Sequence, residues 1–191
     1  NAIGAFINRR HPHFAQILRG PGLLDKAHAT MHLHPHLGHQ IAHLGARQLD
    51  TLDAVLAQAD VVALHCPGSK ENYHLINAER LACMKPGAIL INTARGDVVD
   101  SAALIAALRA GTIAAAGLDV YEEEEGIFFA DCSESGLQDD VLARLLTFPN
   151  VLITSHQAFL THEALHNIAT RTLQSLLEFS TGRISAEAQL V

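Results

Sequence analysis

Three residues stand out because their types could do chemistry together: Arg95, Glu124 and His156. Arg95 offers a planar fork of donors suited to a carboxylate. His156 offers an imidazole, the side chain that exchanges its proton near neutral pH. Glu124 offers a carboxylate, which holds an imidazole and favours its protonated form. A cation, an imidazole and an acid at one rim suit proton transfer to the carbonyl of an anionic substrate. Each has a plainer reading. Arg95 could be a surface arginine, yet Arg95-Gly96 directly after an apolar run is an unusual place for one. Glu124 lies in the run Glu122-Glu123-Glu124-Glu125, and charge runs are ordinarily solvated faces. Asp119 could simply end a strand. Cys66 reads as a packed thiol rather than a nucleophile, since no base adjoins it. His65 and His74 read as structural, and Phe128 and Phe129 as packing.

The elements that must position these residues alternate regularly from Leu44 onward. Ala54–Gln58 is a short helical stretch. Val61 to His65 is a β-branched run stopped by Pro67 and Gly68, the pattern of a buried parallel strand and a loop. Asn77 to Cys83 has helical composition with Asn77 as its cap. Lys85-Pro86-Gly87 is a turn, followed by the strand Ala88–Asn92. Asp100-Ser101 opens an Ala-rich helix running to Arg109 and closed by Gly111. Ile113–Leu118 is a third strand, Asp139–Leu146 a helix, and Val151–Thr154 a fourth strand. Glu163 to Phe179 is a long amphipathic helix ending near Gly182. Such alternation predicts βα units and a parallel sheet. Ligands of these sheets sit beyond the carboxyl ends of the strands. Arg95, Glu124 and His156 each follow a strand there, so they can converge although far apart in sequence.

Composition narrows the function. The chain has 191 residues, with 13 Lys plus Arg against 20 Asp plus Glu, a formal charge of −7. That balance argues against nucleic acid, which needs clustered cations, as does a 5% aromatic content without Trp. No apolar run reaches the roughly 18–20 residues of a membrane helix. The start at Asn1 shows no signal-peptide pattern. Cys66, Cys83 and Cys132, with no CxxC, read as reduced thiols of a cytoplasmic protein. The charge is uneven: Asp25 is the one acid among residues 1–49, against five bases. Eight of the thirteen histidines lie in that same stretch.

From Leu44 to about Gly182 the chain closely resembles the D-isomer-specific 2-hydroxyacid dehydrogenases, most nearly the D-lactate dehydrogenase branch. The matching stretches are Ala59–Pro67, Met84–Gly96, Gly117–Glu122 with Phe128-Phe129, Leu137–Val141 and Ser155–Thr161. Several long motifs in the right order are far more specific than one isolated fingerprint. The resemblance implies an α/β fold, a Rossmann-like parallel sheet flanked by helices, and NAD as cofactor. It implies an NAD-binding domain over residues 1–160 and a final segment, 161–191, returning toward a substrate domain. In the family a hydride passes between nicotinamide and C2 of a 2-oxo acid, here implying D-lactate and pyruvate. Arg95 is then expected to bind the substrate carboxylate. His156 becomes the general acid for reduction and the base for oxidation. Glu124, five residues past Asp119, becomes its acidic partner. Asp119 is expected beside the nicotinamide ribose. Cys66, Pro67, Asn72, Thr93 and Ala94 are expected to line the cofactor crevice, and Phe159 to shape the substrate end. The implied partners are a small 2-oxo or 2-hydroxy acid and a second copy of the chain in a homodimer, with no nucleic acid and no membrane.

Two departures from the family accompany the resemblance. Its cofactor domain opens with GxGxxG, whose glycines let backbone approach the pyrophosphate at a helix N-terminus. Counting back from the helix-like Phe14–Gly20 puts Phe6, Asn8 and His11 where the glycines belong. Met31–Pro35 stands where an acid should bind the adenosine ribose, with His32 at its place. The stretch 1–43 therefore reads as a degraded fingerprint. Family members also carry a longer amino-terminal stretch forming most of the substrate domain, so the sequence reads as amino-terminally truncated. These departures keep open a rival: a remnant or interaction module that retains the scaffold without binding cofactor. The histidines His32, His34, His36, His39 and His43 do not make a metal site, because Pro35 and Gly38 interrupt them and no Cys or acid completes a sphere.

Overall fold

Four short strands, each ending at the same rim, make a parallel sheet in the order β1-β2-β3-β4. They are β1 (Val61–Leu64), β2 (Ile89–Asn92), β3 (Ala115–Leu118) and β4 (Val151–Ile153). The computed structural model describes residues 49–129, 131 and 136–182. Phe6, Asn8, His11, His32 and the other histidines before residue 50 lie outside them. The described chain divides into two compact units between Ser155 and His156.

The first unit carries the sheet. Leu64 pairs with Asn92 and Asn92 with Leu118, so the loops after β1, β2 and β3 leave side by side. Strand β3 is buried throughout. Its Ala115, Ala116 and Gly117 leave room for neighbours to pack closely on both faces, as a central parallel strand requires. Strand β1 differs from the expected buried strand: Val62 and Leu64 are buried, but Val61 and Ala63 are exposed. It is the edge of the described sheet, and only its inner side chains reach the core. The helices α1 (Leu52–Leu56), α2 (Ala78–Cys83), α3 (Ser101–Ala110) and α4 (Asp140–Leu146) cover the sheet with Leu56, Leu81, Leu104, Leu108, Leu142 and Leu145.

Helix boundaries follow capping chemistry. Thr51 accepts from the Ala54 N–H, so α1 begins two residues earlier than composition suggests. Asn77, Asp100 and Asp139 cap α2, α3 and α4 in the same way, each contributing about 1 kcal/mol. Gly111 ends α3 in the left-handed region, φ 71°. Ile113 and Ala114 belong to the turn that follows, which is why β3 starts at Ala115.

The second unit contains α5 (His162–Ser180), capped by Thr161. None of its residues is buried. Leu165, Ile168, Leu173, Leu176, Leu177 and Phe179 are all exposed.

Candidate active site

The rim beyond β1 and β2 is an open crevice of about 450 Å³, lined by His65, Cys66, Pro67, Gly68, Thr93, Ala94 and Arg95. Its size falls in the usual range for small-molecule sites, about 300–1,000 Å³. Asn92, at the end of β2, braces the turn that forms one side of it. This residue is 1% exposed. Its Oδ1 accepts from the Ala94 N–H at 3.0 Å and its Nδ2 donates to the Arg95 carbonyl at 2.9 Å. One buried carboxamide thus fixes the turn that delivers Arg95.

Arg95 itself is exposed. Its Nη1 donates to the Ala94 carbonyl at 2.7 Å. Gly68 makes space for its stem: a Cβ there would lie 3.0 Å from Arg95 Cγ. Gly96 is more constrained, since a Cβ on it would stand 2.0 Å from the Tyr121 carbonyl oxygen. The Arg-Gly pair therefore reflects a cation at the rim and a backbone that must pass against its neighbour.

Asn72 donates to the Pro67 carbonyl at 2.9 Å and closes the loop after β1. That loop is tied down by His74. Its N–H donates to the Asp97 carbonyl at 2.8 Å. Its ring pairs with Glu122 and lies 3.9 Å from Asp100. His74 holds a left-handed backbone, φ 48°, a conformation a non-glycine residue keeps only when its surroundings demand it. Burial pushes the Cys66 thiol above its ordinary range, and the Asp97 charge adds to this. A thiol so disposed is a poor nucleophile near neutral pH.

Beyond β3, Asp119 is buried, and its N–H donates to the Asn92 carbonyl at 2.9 Å. Its Oδ1 accepts from the Thr154 hydroxyl, which ties the end of β4 to the end of β3. Glu124 is half-buried, and its Oε2 accepts from the Tyr121 N–H at 3.0 Å. Cys66, Pro67, Thr93, Ala94 and Arg95 are thus gathered on one crevice, with Asn72 bonded to Pro67. Asp119 and Glu124 stand on the segment leaving the neighbouring strand.

His156 and Phe159 stand in the second unit. Ser155 and His156 are consecutive left-handed residues, φ 54° and 56°. Such strain in non-glycine residues concentrates at functional sites. Phe159 is exposed, in the turn where the Leu160 N–H bonds the Gln157 carbonyl just before the Thr161 cap. Among the described residues no set of three or more His, Cys, Asp and Glu is arranged to hold a metal ion. Nor is any helix there long and apolar enough to cross a membrane.

A family model for the D-isomer specific 2-hydroxyacid dehydrogenase NAD binding domain matches residues 14–158. The chain belongs to this dehydrogenase family. It is 46% identical over 144 residues to a 2-hydroxyacid dehydrogenase homolog of Haemophilus influenzae, covering 75% of this chain and 43% of that protein. It is 47% identical over 139 residues to the D-lactate dehydrogenase of Escherichia coli, covering 73% and 42%. The structure of the Lactobacillus jensenii D-lactate dehydrogenase with NAD+ superposes with a TM-score of 0.73 and 33% identity, covering 83% of this chain and 46% of that one. The chain thus spans less than half the length of these relatives. The dehydrogenase sheet and its NAD-binding architecture are those expected from the sequence. The residues of the crevice also fit the cofactor: an open groove at the carboxyl ends of parallel strands, with a buried carboxylate, Asp119, just past the end of the neighbouring strand β3.

Asn92, Gly68 and Tyr121 carry much of this geometry without being candidates on sequence. Asn92 had a visible signal, a carboxamide closing an apolar strand. Gly68 and Tyr121 had none outside the contacts they make.

Proposed function

We propose that the chain is the cofactor half of an enzyme that interconverts a D-2-hydroxy acid, D-lactate foremost, and its 2-oxo acid. The supporting observation is the placement of Arg95: a cation held at the crevice rim by a backbone that buried Asn92 clamps on both sides. Arg95 binds the substrate carboxylate and draws electron density from the adjacent carbonyl. His156 gives a proton to the C2 oxygen in reduction and removes it in oxidation. Glu124 holds that imidazole and balances its charge. Cys66, Pro67, Asn72, Thr93, Ala94 and Asp119 hold the cofactor, and Phe159 shapes the substrate end. Bound nicotinamide supplies the hydride donor and acceptor. Residues 1–160 form the cofactor domain in this reading and 161–191 the return toward a substrate domain. The protein acts in the cytoplasm as a homodimer.

A rival reading has one specific support: no GxGxxG occurs in the sequence. Under it the scaffold persists without cofactor binding. NADH titration followed by nicotinamide fluorescence separates the two. Saturable binding is expected, and none at millimolar NADH would sink the enzymatic reading.

A further inference from the structure

The segments bearing Glu124 and Arg95 meet at one buried residue, Tyr121. It is 4% exposed. Its backbone N–H donates to Glu124 Oε2 at 3.0 Å. Its carbonyl carbon and oxygen would lie 2.1 and 2.0 Å from a Cβ on Gly96, an approach open to glycine alone. Its phenol donates to Asp139, whose carboxylate oxygens lie at 3.0 and 2.9 Å. Asp139 is fixed in turn, since its Oδ1 accepts the Leu142 N–H at 2.7 Å as the cap of α4. Burial and the Asp139 carboxylate push the phenol pKa well up. Ionisation would place a second negative charge beside the first, so the phenol stays a donor.

The stretch that follows β3 needs such an anchor. Its internal bonds are turn-like, with the Ile127 and Phe128 N–H groups both reaching the Glu124 carbonyl at 3.1 Å. Glu122 ties this stretch to His74 and, at 3.3 Å, to the Ser101 N–H, while Tyr121 is the residue that meets both Glu124 and the Arg95-Gly96 backbone.

We propose that Tyr121 is a positioning residue of the dehydrogenase site. Through Asp139 it fixes the backbone that presents Glu124 on one side and abuts Arg95-Gly96 on the other. The two groups then keep one mutual geometry, and misplacement by about 1 Å can cost roughly a hundredfold in rate. The inference rests on the roles given to Arg95 and Glu124 under the proposed function.

Two variants of the chain test it. Tyr121→Phe removes the phenol and keeps the ring. Asp139→Ser keeps a capping residue but is too short to reach the phenol. With NADH and pyruvate, each is expected to lower kcat about tenfold, leave KM for NADH within about twofold, and add nothing to the other in the double variant. An unchanged kcat, or a KM for NADH rising as much as kcat falls, overturns the proposal. Amide hydrogen exchange decides it independently of turnover. The residue-121 amide, protected by Glu124, is expected to exchange at least about tenfold faster in both variants, while the Leu90 and Leu104 amides keep their rates. Unchanged exchange at residue 121 overturns the proposal. A parent chain that turns over no pyruvate defeats the proposed function, and the exchange result still supports or overturns the anchoring role.

Discussion

Asn92 donates through Nδ2 to the carbonyl oxygen of Arg95 at 2.9 Å, across a turn whose other polar group, the Ala94 N–H, it accepts at 3.0 Å. The clamp converts the end of a strand into a fixed platform for the guanidinium. Asn92→Leu fills the same space and strands both backbone groups. A buried polar group without its partner costs about 1–3 kcal/mol, so the urea midpoint should fall clearly. A midpoint equal to the parent's would show that water replaces both bonds.

The two glycines beside Arg95 should respond unequally. A Cβ at Gly96 meets the Tyr121 carbonyl at 2.0 Å and the Glu122 nitrogen at 2.5 Å, all backbone. A Cβ at Gly68 meets the flexible Arg95 stem at 3.0 Å. Gly96→Ala should therefore lose about 3 kcal/mol or more, and Gly68→Ala under about 1 kcal/mol, because overpacking is cheap only where the neighbour can move. Urea unfolding of the two variants ranks them, and equal losses would contradict the contact.

Much of this site was legible because parallel sheets put chemistry at strand ends. The candidates Arg95, Asp119 and Glu124 come from looking just past β2 and β3, and the caps Asn77 and Asp100 from capping chemistry, whereas Asp139 reads only as the start of a helix. The exposure of Val61 and Ala63 on β1 was not legible, because an apolar run does not say whether both faces are covered. Gly96 was read as part of a motif, but its cause lies in the carbonyl of Tyr121, twenty-five residues later in the chain. The bond between Tyr121 and Asp139 joins a loop to a helix cap, and no local pattern announces such a pair.

Alkaline pH should weaken the fold through Tyr121. Its phenol pKa is raised in the folded chain by burial and by Asp139, while an unfolded tyrosine titrates near about 10. Above that pH the unfolded chain releases a proton that the folded chain retains, so stability falls as pH rises. The contribution is fully present below about pH 10 and is lost progressively above it. Thermal unfolding between pH 8 and 11 should show Tm falling with pH, less steeply in Tyr121→Phe. Parallel slopes in parent and variant would exclude Tyr121 as the source.

Arg95 and His156 should fail in different ways, because one binds charge and the other moves a proton. Losing a charge-assisted bond costs about 1.5–3 kcal/mol, or roughly ten- to a hundredfold. Arg95→Ala should therefore raise KM for pyruvate and lower kcat together. Arg95→Lys should recover only part of this, since an ammonium keeps the charge but not the planar fork. His156→Ala should lower kcat by about 10²–10⁴-fold, the usual worth of a positioned acid or base, and leave the NADH dissociation constant unchanged. Steady-state kinetics paired with fluorescence titration of each variant resolve the two patterns. An unchanged KM for pyruvate in Arg95→Ala would remove the carboxylate role. A loss of NADH affinity in His156→Ala as large as its loss of kcat would mean that the imidazole supports the fold of the site rather than the proton transfer.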